Sequence, residues 1–406
     1  MEPPYLEPGT PLFRAAALAL LALGLATFAV LYCVQPLMPL FAAAFRLSPA
    51  ASSLALSATT GLLAPMLLVA GSISDALGRK GVMVASILAS SALTLLLAAA
   101  PNWGALLLLR ALQGITLSGL QAIGMAYLGE EVAPSGVGAA MGLFVAGSGL
   151  GGMVGRILAG MAADLGGWRA ALAGVGLVGL GAGLVVWRAL PPSRHFTPRP
   201  LTLRGSLGSL AGHLGDPVLR RLYALALVLM GGFVAVYNYI AFRLLAPPYE
   251  LSQAAVGAIF VVYLVGVAGS TWMGRLADRR GRKLVLTAAL LAAVAGLAVT
   301  LARPLALVVL GLALFTFGFF GAHSVASGWV SRRARTAKAQ ASALYLFSFY
   351  AGSTAIAPAV GLLWPGHAWP GVAAAVAALL LVALLLARTL PGDHAPALPR
   401  RGSRMI

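Results

Sequence analysis

The sequence predicts an all-α membrane protein with twelve transmembrane helices in two pseudo-symmetric six-helix bundles. Of its 406 residues, 60% are hydrophobic and only 9% are charged, whereas soluble domains average about 25% charged residues. The apolar residues form blocks of about 20, the length of a helix that spans a bilayer. A charged decapeptide, GSISDALGRK at 71–80, recurs as GRLADRRGRK at 274–283. The repeat indicates that one six-helix unit is duplicated.

The predicted spans are helices, because lipid offers no partner for unpaired backbone amides and short alternating strands are absent. They cover 15–44, 49–71, 80–100, 104–128, 137–162, 169–190, 220–246, 251–274, 283–302, 304–330, 339–364 and 368–390. We refer to them as spans 1 to 12. The predicted units are a tail at 1–14, a bundle at 15–190, a linker at 191–219, a bundle at 220–390 and a basic tail at 391–406.

The basic residues predict the orientation of the chain in the membrane. One side collects 22 of the 28 Lys and Arg residues and the other only 4. Because Lys and Arg are enriched in cytoplasmic loops, both termini and the linker are predicted to be cytoplasmic. The net charge of +18 therefore reflects topology. A nucleic-acid partner is not expected, since no basic patch with interleaved aromatic residues occurs.

Catalysis and metal binding have little support in the sequence. No nucleophile-elbow, zinc-protease or phosphate-loop motif occurs, so we expect neither an enzyme nor a cofactor. The single cysteine, Cys33, excludes an internal disulfide and any multi-cysteine metal site. We interpret it as a small apolar filler in span 1. The expected partners are a small-molecule solute, protons and the lipid bilayer, and we expect a monomer.

The repeated decapeptides resemble the loop motifs of the major facilitator superfamily. LRALQG at 109–114 resembles its fourth-helix motif, and Gly142, Gly151 and Gly155 match the spacing of its fifth-helix antiporter motif. Arg156 stands where that motif usually has proline. The resemblance covers the whole chain and is closest to bacterial inner-membrane efflux permeases of the arabinose-efflux or multidrug-exporter type. It implies two bundles around a central cavity and a bacterial inner-membrane location.

The decapeptides and the end of span 4 predict a conformational switch. Asp75 is expected to pair with Arg79, and the resemblance implies that it faces the start of span 11. Breaking these contacts would open the cytoplasmic side. Charges that only set topology and cap helices are the alternative. The switch residues are Asp75, Gly78, Arg79, Lys80, Glu130, Glu131, Asp278, Gly281 and Arg282. Within this set, Asp278 is expected to pair with Arg282, and both glycines are expected in tight turns with positive φ.

Two ionisable side chains inside the spans, and one at the end of span 2, are candidates for proton coupling. Arg110, one helical turn from Gln113, is a candidate for proton coupling or substrate contact, because a buried guanidinium is costly in lipid. A structural anchor to backbone carbonyls is the alternative. His323 is a second proton-coupling candidate, because imidazole titrates near neutral pH. The alternative for His323 is a structural histidine that bonds nearby serines or carbonyls. Asp75 is the third candidate. Arg156 is predicted to extend to the membrane interface.

Aromatic and amide side chains predict a substrate pocket. Such a pocket suits a neutral or anionic polar solute. For each tyrosine, a position in an interfacial belt is the alternative. The candidate binding residues are Tyr32, Gln35, Arg110, Gln113, Tyr237, Asn238, Tyr239, His323, Tyr345 and Phe349.

Small residues spaced by four predict close helix packing. They are Gly147, Gly151 and Gly155 in span 5, and Gly266 and Ser270 in span 8. We predict that these two spans pack together between the halves. Pro36, Pro65 and Pro358 are predicted to mark kinks.

These observations predict a secondary active transporter. It would export a small organic solute, drug or sugar-like, by proton antiport with alternating access. Proton-coupled uptake or facilitated diffusion of a neutral or anionic solute is one alternative. A non-transporting receptor on the same fold is another.

Overall fold

A computed structural model describes residues 5–196, 211–334 and 336–392. Most of the predicted tail at 391–406, the middle of the linker and residues 1–4 lie outside the described residues. The helices are α1 (Pro11–Tyr32), α2 (Met38–Phe45), α3 (Pro49–Leu77), α4 (Arg79–Ala98), α5 (Trp103–Leu117), α6 (Leu120–Glu131), α7 (Pro134–Ala189), α8 (Pro217–Leu245), α9 (Gln253–Ala258), α10 (Tyr263–Arg280), α11 (Arg282–Val299), α12 (Leu305–Arg333), α13 (Lys338–Gly361) and α14 (Trp364–Arg388).

Within the described residues, eleven helical stretches are long and apolar enough to cross a membrane. One of them, α7, has 56 residues and a break in helical geometry at Gly166 and Gly167. Gly167 has a φ of 68°, which glycine adopts without steric cost. The described residues therefore contain twelve stretches that could cross a membrane, with spans 5 and 6 forming the two parts of α7.

Three spans that the sequence predicts as single helices are interrupted. Span 1 breaks between α1 and α2, next to Pro36, which cannot donate a backbone hydrogen bond. Span 4 breaks between α5 and α6 at Gly119, whose φ is 78°. Span 8 passes from α9 through a 3₁₀ turn at Ile259–Val262 into α10. Interruptions inside a bilayer are tolerated where other protein groups satisfy the freed backbone.

The two decapeptides fold alike. Gly78 has φ 95° and ψ 150°, and Gly281 has φ 94° and ψ 140°. The predicted positive φ is thus confirmed at both turns. Lys80 donates to the carbonyl of Leu190 at the end of span 6, and Lys283 donates to the carbonyls of Arg388 and Leu390 at the end of span 12. The duplication therefore extends to side-chain contacts.

The halves meet along α3 and α13 and between α7 and α9. We call the side where α1 begins and α14 ends the basic face, and the opposite side the far face. At the far face, Asp164 accepts hydrogen bonds from the backbone N–H groups of Gln253 and Ala254, both at 2.9 Å. Gly160 lies against Gly257 there. Spans 5 and 8 thus join mainly at the far face.

Spans 5 and 8 pack together between the halves as predicted, but the small residues predicted to make that contact pack elsewhere. A Cβ at Gly147, Gly151 or Gly155 would meet the α1 backbone within 2.2–2.4 Å, so this ridge packs on span 1. Gly266 packs against Thr316 and Phe320 of α12 instead of span 5. Sequence spacing marked the close contacts, but it carries no information on which helix fills the groove.

Candidate functional site

A hydrogen bond between the halves lies at the centre of the bundle. Gln35, in the break between α1 and α2, donates through Nε2 to Asn238 Oδ1 at 2.8 Å. Both residues are at most 1% exposed. They are 203 positions apart, the same offset that separates the two decapeptides. Equivalent positions of the two halves therefore meet at this point.

Arg156 contacts this pair, and its side chain is buried inside the bundle. It is only 1% exposed, so the prediction that its side chain extends to the membrane interface is wrong. Its Nε donates to Gln35 Oε1 at 2.7 Å, its Nη2 donates to the same oxygen, and its Nη1 donates to the carbonyl of Gly152. The unwound stretch after α1 brings Gln35 to the guanidinium, which keeps the charge inside the bundle.

Aromatic rings from both halves surround the Arg156 guanidinium. Its carbon lies 4.4 Å from the ring centroid of Tyr32 and 4.7 Å from those of Phe260 and Tyr263. Each ring attracts the cation by about 0.5–2 kcal/mol, more when water is excluded. Phe260 and Tyr263 were not predicted to be part of the site, because the sequence does not distinguish them from the ordinary apolar residues of a membrane span.

Arg110 has the structural role that the sequence left as an alternative. It is fully buried and donates to the carbonyls of Ala55 at 2.7 Å, Val30 at 3.2 Å and Leu31 at 2.8 Å. Val30 and Leu31 are in the last turn of α1, where carbonyls lack helical partners. The cation also complements the negative end of the α1 dipole. Arg110 therefore caps α1 inside the first half.

Two further binding candidates point away from the centre. Gln113 accepts from Arg110 at 2.7 Å and donates to Thr94 and the Ser90 carbonyl, so it stays within the first half. Tyr239 donates to the carbonyl of Ala357 and stacks on Trp364. Neither has a contact with the Arg156 cluster among the described residues.

A continuous aromatic path connects Arg156 to His323. Tyr237 packs against Tyr263 at 5.2 Å and against Phe233 at 4.9 Å between ring centroids. Phe233 stacks on Phe319 at 3.7 Å, and Phe319 stacks on His323. His323 Nδ1 lies 3.1 Å from the Tyr345 hydroxyl, and Phe349 lies 4.6 Å from the imidazole ring. The remaining candidates thus line one path, with a titratable group at its end.

Charged residues at the basic face form a network within the first half. Arg79 binds Asp75 at 2.5 Å and Glu130 at 2.7 Å, which links the ends of spans 2 and 4. Glu131 has another role, since it accepts from the backbone N–H groups of Arg194 and His195 in the linker. The structure thus contains the predicted Asp75–Arg79 pair. A contact between Asp75 and the start of span 11 stays a prediction.

The second half pairs its charges differently from the prediction. Asp278 bonds with Arg332 at 2.7 Å, whereas its predicted partner was Arg282. Asp216 caps α8 and binds Arg333 at 2.8 Å. Burial acts to raise the pKa of Asp216, but hydrogen bonds from Arg333 and from two backbone amides outweigh it, so the pKa lies below its ordinary value.

Similarity to known proteins agrees with this architecture. The model of the Major Facilitator Superfamily matches residues 20–355. The chain belongs to the Major Facilitator Superfamily. It is 48% identical over 363 residues to the MFS-type transporter YybF of Bacillus subtilis, covering 89% of this chain and 90% of the relative. It is 44% identical to the inner membrane transport protein YnfM of Escherichia coli, covering 89% and 86%.

Solved structures of this superfamily share the fold. A bacterial homologue of the human lysosomal transporter Spinster, in an inward-facing and unoccupied conformation, matches with a TM-score of 0.79. The match covers 94% of this chain and 98% of that one at 15% identity, which supports the fold alone. The family match and the two relatives show that the chain is a multi-pass membrane transporter of the superfamily and not an enzyme, and the shared fold confirms the predicted architecture.

Proposed function

We propose that this chain moves a small polar organic solute through a central site formed by both halves. One observation carries the proposal: Gln35 and Asn238, at equivalent positions of the duplicated unit, bond to each other beside the buried Arg156. A buried polar cluster built from both halves suits a solute site whose contacts with each half can break in turn.

The contacts between the halves support alternating access. Spans 5 and 8 are joined at the far face through Asp164, Gln253 and Ala254. With the basic face in the cytoplasm, as the positive-inside rule favours, this arrangement faces inward. Rocking of the halves would break the Asp164 contacts and join the basic-face ends. The Asp75–Arg79–Glu130 network would hold the ends of spans 2 and 4 together during that movement.

His323 supports coupling to protons, and we favour export by proton antiport. It is the titratable imidazole on the aromatic path, and an ionisable group inside a membrane is a functional candidate by default. Protonation from the far side would accompany release of the solute there. Proton-coupled uptake and facilitated diffusion predict a different proton flux. A receptor on the same fold predicts no solute flux.

We predict that replacing His323 with glutamine separates solute movement from proton movement. Glutamine keeps a hydrogen bond to Tyr345 but cannot titrate. In proteoliposomes, solute exchange should persist, while uphill transport driven by a pH gradient should fall by about a hundredfold or more, because general acid–base roles contribute about 10²–10⁴-fold. The Tyr345→Phe variant is the matched control, since it removes the hydroxyl but keeps the imidazole.

The direction of proton movement separates the alternatives. Proton entry coupled to solute exit supports antiport, and proton entry with the solute supports co-uptake. Equal gradient-driven transport by the wild type and His323→Gln would rule out this histidine as the coupling group. Absence of any solute movement by the wild-type protein would favour the receptor.

A further inference from the structure

The charge of Arg156 lacks a counter-ion among the described residues. The carboxylates that form ion pairs lie at the basic face. They belong to Asp75, Glu130, Glu131, Asp216 and Asp278. Asp164 is bonded to backbone amides at the far face. At the centre, the guanidinium contacts only neutral groups: Gln35, the Gly152 carbonyl and three aromatic rings.

A lone cation at this depth favours binding of an anion. Buried charges are ordinarily paired, because removing them from water is costly. Aromatic rings and one amide oxygen offset part of that cost but leave the net charge in place. An anionic group that enters the site gains the full attraction of a cation that water does not screen. The site therefore favours an anionic solute over a neutral or cationic one.

The guanidinium and the polar groups around it have N–H and O–H donors that lack an acceptor. A guanidinium has five N–H donors, and Gln35 and Gly152 receive three hydrogen bonds from Arg156. The Asn238 Nδ2 amide is buried without a hydrogen-bond partner. The Tyr263 hydroxyl is likewise buried without an aligned hydrogen bond, and its ring centroid lies 4.7 Å from the guanidinium carbon. A carboxylate, which only accepts and fits the guanidinium fork, matches these donors.

We propose that the transported solute is a small organic anion with a single carboxylate, which binds Arg156, Asn238 and Tyr263. The single positive charge of the site matches one negative charge, and a doubly charged phosphate would remain half unpaired. The aromatic path from Tyr237 towards His323 provides an apolar surface for the rest of the solute. This inference rests on the proposed function, because it names the substrate class of the same site.

Matched pairs of carboxylates and neutral amides test the inference. Binding of benzoate, gluconate and lactate, each against its amide, would be measured by thermal shift on the purified full-length protein. We expect at least one carboxylate to bind about tenfold to a hundredfold more tightly than its amide, the range of a charged hydrogen bond. Arg156→Gln should abolish that preference. Arg156→Lys should keep part of it, because lysine retains the charge without the fork.

The outcomes separate this inference from the proposed function. Equal binding of acid and amide by the wild type, or no binding of any of the three carboxylates, overturns the carboxylate assignment. A carboxylate preference that survives in a folded Arg156→Gln protein overturns the assigned residue. Counterflow in proteoliposomes with a broad panel of neutral solutes reports on the proposed function separately. Counterflow of a neutral solute with no carboxylate preference would keep transport and reject the anion.

Discussion

Replacing Arg110 with leucine is expected to destabilise the protein by about 3–5 kcal/mol, because three buried carbonyls lose hydrogen bonds from a charged donor, each of which contributes about 1.5–3 kcal/mol. The carbonyls belong to Val30, Leu31 and Ala55. The carbonyls of Val30 and Leu31 lie in the last turn of α1, so this end of the helix, next to Gln35, should be destabilised. Thermal unfolding in detergent micelles measures the loss, and a reduced yield of folded protein should accompany it.

Arg46→Gln is the control for a lost arginine charge. Arg46 lies exposed after α2, so this substitution should leave the unfolding temperature nearly unchanged. Arg110→Lys should be intermediate, because lysine keeps the charge but cannot reach three carbonyls in a fixed fork. An Arg110→Leu protein with wild-type stability would show that Arg110 does not cap α1. It would also restore Arg110 as a candidate for proton coupling.

Replacing Gln35 with glutamate is expected to reduce transport by about a hundredfold while holding or raising the unfolding temperature. The new carboxylate would occupy the position of the Gln35 oxygen that accepts from Nε and Nη2 of Arg156. It would supply the missing counter-ion from within the chain. A solute anion would then compete with a permanently bound carboxylate. The Asn238 Nδ2 group, which lacks a partner, could donate to the same glutamate.

Gln113→Glu is a matched control for this change. Gln113 also accepts a hydrogen bond from a buried arginine, Arg110, at 2.7 Å, but it lies outside the central cluster. A carboxylate there should leave solute exchange close to the wild-type rate, although it loses the bonds that Nε2 donates. Counterflow rates and unfolding temperatures of both variants decide the question. Wild-type exchange by Gln35→Glu would contradict a central anion site at Arg156.

Much of the fold could be predicted because its causes are local in sequence. Hydrophobic blocks set the spans, and the offset of the decapeptides revealed the two halves. A glycine before Arg-Lys marked each turn with positive φ. The Asp75–Arg79 pair was predictable because the two residues lie on either side of one tight turn at Gly78. Apart from the repeat, which can be recognised by comparing two segments of the sequence, each of these features depends on neighbouring residues alone.

The centre of the site could not be predicted, because it depends on breaks and on partners far along the chain. Arg156 was assigned to the interface from its position near the end of a span. Its true depth follows from the unwound stretch that places Gln35 beside it, 121 positions away. The glycine ridge of span 5 showed a close contact, but only the tertiary fold decides that span 1 fills it. The lack of an acidic residue within a turn of Arg156 was the one available signal.

The central claim is that the halves rock about the site, and spin-label distances test it most directly. In a Cys33→Ala background, label pairs would replace Gly138 and Arg275 near the basic face, and Leu165 and Glu250 at the far face. These positions are exposed, and double electron–electron resonance would give both distance distributions. Asp164→Ala removes the hydrogen bonds that join the far face. Arg169→Ala removes hydrogen bonds to the carbonyls of Ala98 and Ala100 within the first half and is the control.

Asp164→Ala should enlarge a population with a longer far-face distance and a shorter basic-face distance by about fivefold, the effect of roughly 1 kcal/mol. Arg169→Ala should leave both distributions unchanged. If both distances keep their wild-type distributions in Asp164→Ala, or if both lengthen together, the two halves do not alternate about the Gln35–Asn238–Arg156 site.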